Sequence, residues 1–153
     1  MTVTICGSIS FMDEMRYIKK QLLKFDIKEV RLPFAFGKND RELKAAMTDE
    51  EDAERKIKYD LINKYYKKIV TSDAVIIANY TKNGIENYIG GNTLMEMGFA
   101  FVNKIPIFLF NPVPSQPSTP EIRAMKPIIL NGKLEKIAKY MNQNRYTDLF
   151  NLY

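Results

Sequence analysis

The chain has 153 residues, 46% of them hydrophobic, with 23 Lys and Arg against 18 Asp and Glu for a formal charge of +5, one cysteine and no histidine. That size and apolar share suit one globular domain with a full core, while the missing imidazole excludes a Ser-His-Asp triad, a histidine base and a histidine-ligated metal centre. The lone Cys6 makes neither an intramolecular disulfide nor a cysteine-rich metal site, so no cofactor or metal is expected, and the expected compartment is the reducing cytoplasm.

In chain order, Thr2 to Cys6 reads as a short strand, with no basic, apolar leader ahead of it. No run approaches the roughly 18 apolar residues of a membrane span, so no membrane partner is expected. Gly7-Ser8-Ile9-Ser10 is a tight turn into a helix over Met12 to Lys24, whose Ile18, Leu22 and Phe25 recur at helical spacing. A second strand, Glu29 to Leu32, stops at Pro33, and Phe34 to Thr48 reads as an irregular, charged flap. Thr48 or Asp49 then caps one long helix, acidic at its start and lysine-rich later, that runs to about Ser72. Asp73 ties down the start of a third strand, Val75 to Ala78. Gly90 and Gly91 open a helix capped by Asn92 or Thr93, in which Gly98 and Ala100 allow close packing on the sheet. A fourth strand, Ile105 to Phe110, leads into the proline-punctuated loop NPVPSQPSTP. A fifth strand, Lys126 to Leu130, turns at Asn131-Gly132 into a helix from Leu134 to about Asn142.

Strands alternating with helices predict an α/β fold: a doubly wound, flavodoxin- or Rossmann-like sheet of five parallel strands with helices on both faces, as a single domain over 1–153. Ligands of such sheets gather beyond the carboxyl ends of the strands, which here places Asn79, Tyr80 and the segment up to Asn92 at a crevice. The Gly7-to-Ser10 turn offers free backbone N–H groups to an anion, although any strand-to-helix junction favours such small residues. Glu96, set among Met95, Met97 and Phe99, is either an acid stabilising a helix start or a partly desolvated carboxylate that attacks a sugar carbon, a chemistry that suits a histidine-free site. The positive charge fits a small phosphate-bearing ligand; with no basic stripe interleaved with aromatics, no nucleic-acid partner is expected.

Cys6-Gly7-Ser8-Ile9-Ser10, the Asp73 strand, Glu96-Met97-Gly98-Phe99-Ala100 with Lys104-Ile105-Pro106-Ile107, and Arg123-Ala124-Met125 together resemble the nucleoside 2-deoxyribosyltransferase superfamily, nearest to its 2′-deoxynucleoside 5′-monophosphate N-hydrolases. The resemblance spans nearly the whole chain. It implies Glu96 as nucleophile at C1′, a 5′-phosphate on Gly7, Ser8, Ile9 and Ser10, and homodimers whose sites are completed from the neighbour's Arg123-to-Met125 segment.

Three departures accompany it. Ser10 stands where the hydrolases have a basic residue, Gly90 where they have a phosphate-binding serine, and Tyr65 where they have a helix aspartate; Arg123 is the expected substitute for the missing charge. The chain is thus expected to bind a small nucleotide or nucleoside. Cleaving its N-glycosidic bond is the first expectation, deoxyribosyl transfer or non-catalytic nucleotide sensing the alternatives. Catalytic residues are then Glu96 and Tyr65, and binding residues Gly7, Ser8, Ile9, Ser10, Asn79, Tyr80, Gly90, Gly91, Asn92, Arg123 and Met125.

Overall fold

A computed structural model describes residues 1–33 and 40–150, with side chains for all but 40, 41 and 144–150. Five strands, β1 (Thr2–Cys6), β2 (Glu29–Arg31), β3 (Ala74–Ile77), β4 (Ile107–Leu109) and β5 (Ile128–Ile129), form one sheet in the order β2-β1-β3-β4-β5, and every pairing is parallel. The helices are α1 (Met12–Leu22), α2 (Asp40–Ala46), α3 (Asp49–Lys58), α4 (Leu61–Val70), α5 (Gly91–Val102), α6 (Thr119–Ala124) and α7 (Glu135–Phe150). This is the doubly wound, flavodoxin-like α/β architecture. The strand order reverses between β1 and β3, so the crevice for a ligand opens at the carboxyl ends of those two strands.

Alternation along the central strands builds two cores. Val3 and Ile5 of β1 with Ala74 and Ile76 of β3 face α1 through Met12, Met15, Ile18 and Leu22, joined by Ile137 of α7. Cys6, Val75 and Ile77 face the other way, onto Tyr65 and Ile69 of α4, Met97 and Ala100 of α5 and Ile122 of α6. Both faces of β3 are covered and all four of its residues are fully buried, which is why its sequence is an unbroken apolar run. Asp73 fastens the strand's start, its carboxylate accepting the Thr2 N–H at 2.7 Å.

The segment between β2 and β3 departs most from expectation. Phe34 to Gly37, with Lys38 and Asn39, lie outside the described residues, but Asp40–Ala46 is helical rather than irregular, as the helix formers Leu43, Lys44, Ala45 and Ala46 favour. Thr48 caps α3 through a reciprocal box, accepting from Glu51 N–H at 3.2 Å while the Glu51 carboxylate accepts from Thr48 N–H at 2.8 Å. The single long helix is instead two, broken at Asp60, which sits in the left-handed region at φ 49°. Asp52 of α3 and Tyr65 of α4 both point inward, yet in one continuous helix they would be about 220° out of phase; the break lets each helix bury its own face. The helix start expected at Asn92 or Thr93 comes earlier: Gly90 is the N-cap, without a side-chain hydrogen bond, and α5 begins at Gly91. A Cβ on Gly98 would meet open space, so close packing there rests on the buried Ala100. Two of the five expected residues of β5 pair in the sheet, and α6 forms where the end of the proline-rich loop was expected.

Candidate active site

Glu96 stands in the second turn of α5, at a cleft of about 90 Å³ lined by Ile9, Tyr65 and Met95 together with Arg55, Lys56 and Asn92. The start of α5 is fixed from the proline-rich loop, where Gln116 accepts from Ile89 N–H at 3.0 Å and donates to Ile89 C=O at 2.8 Å. The Glu96 side chain turns inward from there. Its Oε2 is sequestered from solvent and has no hydrogen-bond partner, one of two such side-chain atoms among the described residues. Burial pushes its carboxyl up to about 8, against the opposing pull of a hydrogen bond from Cys6 and the charge of Lys56. Glu96 thus combines a carboxyl raised by burial with a buried oxygen that has no hydrogen-bond partner, at the edge of a cleft.

Beneath Glu96 lie two groups that keep their protons. Burial, then the Glu96 charge, raise the Cys6 thiol well above its usual value, so it remains an S–H donor. Burial raises the Tyr65 phenol as well, ahead of Cys6 and Glu96. Tyr65 lines the cleft, but its hydroxyl donates to the Ile5 C=O. The Asp60 carboxylate is turned to the Asn63 amide, 2.8 Å away.

One wall of the cleft is a cluster of cations around a single acid that sequence reading passed over. Asp52 accepts from Arg55 at 3.0 Å and Lys56 at 2.8 Å, and from Lys44, which reaches across from α2. Burial alone would raise its carboxyl; the three cations more than offset this and hold it well below the carboxylate range. Lys56 also donates to the Asn92 side-chain Oδ1 at 3.4 Å, joining the cluster to the start of α5. The signal available in the sequence was the i, i+3 and i, i+4 spacing of Asp52 with Arg55 and Lys56.

At the Gly7-to-Ser10 turn the chain enters a short 3₁₀ turn, Ile9–Phe11, capped by Ser8, whose Oγ accepts from Ser10 N–H at 3.3 Å. Gly7 is required by close approach: a Cβ there would lie 3.2 Å from Ala78 Cβ, Ala78 O and Met15 Sδ. The cation touching this turn is Lys82, which donates to Ser8 Oγ at 2.9 Å. Arg123 is exposed on α6, away from this contact, and Met125 lines a separate pocket with Pro106 and Ile107 at the opposite, amino end of β4. Within one chain neither joins the Glu96 cleft.

Asn79 and Tyr80 also hold the framework. Asn79 is fully buried; its amide donates to Asn111 O at 3.1 Å and Pro112 O at 2.9 Å, and its Oδ1 accepts from Asn111 N–H at 2.9 Å. A ligand would reach it only by breaking those bonds. Tyr80 lies between Phe11 and Phe110 in tilted ring contacts, centroids 5.5 and 5.4 Å away, and burial pushes its phenol up to about 12. Of the two methionines flanking Glu96, Met95 lines the cleft and Met97 lies in the core.

Among the described residues no three Cys, Asp or Glu side chains gather as metal ligands, and no helix is long and apolar enough to cross a membrane. No protein-family profile matches the chain, and no curated protein is similar in sequence. Solved structures are similar in three dimensions. A conserved protein from Enterococcus faecalis V583 superposes with a TM-score of 0.55 at 12% identity, covering 94% of this chain and 98% of its own. The CMP N-glycosidase BcmB of Clostridium botulinum superposes with a TM-score of 0.44 at 15% identity, covering 94% and 99%. The first of these likenesses establishes a shared fold.

Proposed function

We propose that the protein hydrolyses the N-glycosidic bond of a nucleoside 5′-monophosphate, as the resemblance of its Gly7-to-Ser10 turn and Glu96 helix to the deoxyribosyltransferase superfamily implies. The observation that carries this reading is the unpartnered Glu96 Oε2 at the cleft beyond β1 and β3. Once ionised, the carboxylate attacks C1′ as the bond to the base breaks. The base leaves with the bonding electrons and takes a proton from solvent; water then adds its oxygen to C1′, the ester bond to Glu96 breaks, and the water's proton returns to solvent, regenerating the carboxylate. Lys56 by its charge and Cys6 as a donor both favour the ionised carboxylate that the first step needs. Met95 offers a soft apolar surface to the base. Completion of the site by Arg123 and Met125 of a second copy belongs to the same reading, since in one chain they lie apart from the cleft.

Deoxyribosyl transfer shares the first step and ends on a second base instead of water. A nucleotide sensor is favoured by one observation: Tyr65, which replaces the acid of the related hydrolases, donates its hydroxyl to Ile5 C=O. Purified protein incubated with ribo- and deoxyribonucleoside 5′-monophosphates, beside Glu96→Gln, separates the three. Free base released by the wild type alone supports the hydrolase, and release only when a second base is supplied supports the transferase. No release in either case, with nucleotide-dependent thermal stabilisation of both proteins, rejects catalysis in favour of sensing.

A further inference from the structure

Lys82 is a half-buried ammonium that faces no carboxylate among the described residues. The ion pairs of the described residues join Arg16 to Asp13, Arg31 to Glu29, and Lys44, Arg55 and Lys56 to Asp52; Lys82 is in none of them. Burial and then the charge of Lys44 depress its pKa, so an anion beside it relieves an unfavourable charge. The lysine is also firmly presented. Lys82 and Ile85 exchange backbone hydrogen bonds of 3.1 and 3.0 Å across Asn83 and Gly84, both at positive φ, a two-residue turn that fixes the Lys82 backbone.

The contact of Lys82 with Ser8 completes the argument. A serine hydroxyl has two lone pairs and one hydrogen. Both acceptor positions of Ser8 Oγ are occupied, by Lys82 Nζ at 2.9 Å and by Ser10 N–H at 3.3 Å. The Ser8 O–H is therefore left to donate, and among the described residues nothing accepts it. Lys82 has two further N–H groups beyond the one given to Ser8. A hydroxyl donor and an ammonium donor thus converge at a turn whose next residue, Ile9, lines the Glu96 cleft.

We propose that Lys82, acting with Ser8, binds the substrate's phosphate and so makes the site select 5′-phosphorylated sugars over their unphosphorylated counterparts. This rests on the reading of the cleft as a nucleotide site, and it assigns the selecting charge to Lys82 rather than to Arg123.

Ribose 5-phosphate, which carries the phosphate without a glycosidic bond, tests the assignment apart from catalysis. Calorimetric titration of the wild type, Lys82→Met and Lys82→Arg is expected to show Kd raised about 10- to 100-fold in Lys82→Met. Lys82→Arg should recover most of the affinity, ribose should bind all three equally weakly, and thermal unfolding of the apo proteins should be unchanged. Equal ribose 5-phosphate affinity in wild type and Lys82→Met, or no binding by the wild type, overturns the proposal. Failure of base release with the Lys82 effect intact overturns the glycosidase reading and leaves the phosphate assignment standing.

Discussion

The Cys6 thiol at the end of β1 acts on the Glu96 carboxyl of α5 as a donor, and this interaction lowers the pKa of an acid that burial has pushed up to about 8. In the mechanism we propose, Glu96 attacks only when ionised. In the free enzyme kcat/KM should therefore rise with pH along a limb centred near 8 and level off above it. Cys6→Ala removes the donor, so the limb should move to higher pH and the rate at about pH 7 should fall several-fold. Cys6→Ser supplies a stronger O–H donor and should move the limb to lower pH. A cysteine that served packing alone would scale the whole profile without moving its midpoint, and that result would sink the idea.

The same carboxyl makes stability depend on pH. Its folded pKa of about 8 lies above the ordinary 4.5, so between these values the folded chain holds a proton that the unfolded chain has released. Stability then falls as pH rises through that window and is level above it. Glu96→Gln cannot ionise. Relative to wild type it should gain nothing at about pH 4 and of the order of a few kcal/mol above about pH 8, read from urea unfolding at both values. Parallel stability curves for the two proteins would show that Glu96 is not desolvated.

Asp52 joins α2 to α3 through Lys44 and holds Arg55 and Lys56 at the cleft wall. Asp52→Asn removes the carboxylate that Lys44, Arg55 and Lys56 share. Because Lys44 and Lys56 remain part-exposed, a loss of roughly 1–3 kcal/mol in unfolding free energy is expected, less than for a fully buried pair. High salt should narrow the difference by screening the released cations. An unchanged midpoint in thermal unfolding at low salt would show that the cluster adds nothing net.

Residues whose role follows from local pattern were legible in the sequence. The apolar runs of β3 and β4, the glycine-opened α5 and the Thr48 cap each have a short-range cause, and the order of strands and helices carried the sheet. The break at Asp60 was not legible, since no Gly or Pro marks it and its cause is the phase between Asp52 and Tyr65. Lys82 was missed because its meaning depends on Ser8, 74 residues away in the chain. Asn79 was expected at the ligand because it follows a strand; its actual bonds, to Asn111 and Pro112, arise from a loop that the sequence shows only as irregular.

Gly7 and Gly98 offer opposite outcomes from the same substitution. At Gly7 a methyl group would crowd Ala78 Cβ, Ala78 O and Met15 Sδ at 3.2 Å each. The Met15 sulfur can yield, but Ala78 is held to Cys6 by a 2.8 Å backbone hydrogen bond, so the ends of β1 and β3 have to part by some tenths of an ångström where the crevice opens. Gly7→Ala should lose about 1–3 kcal/mol of stability and, by displacing Ser8, weaken ribose 5-phosphate binding. At Gly98, inside α5, a methyl group meets no atom within 4 Å, and the unfolded chain loses freedom instead. Gly98→Ala should therefore gain roughly 0.5–1 kcal/mol and leave binding unchanged. Thermal unfolding and calorimetry on the pair decide the matter: a Gly7→Ala protein as stable and as tightly binding as wild type would mean that the turn has room to spare at the strand ends, and would remove the steric reason for glycine there.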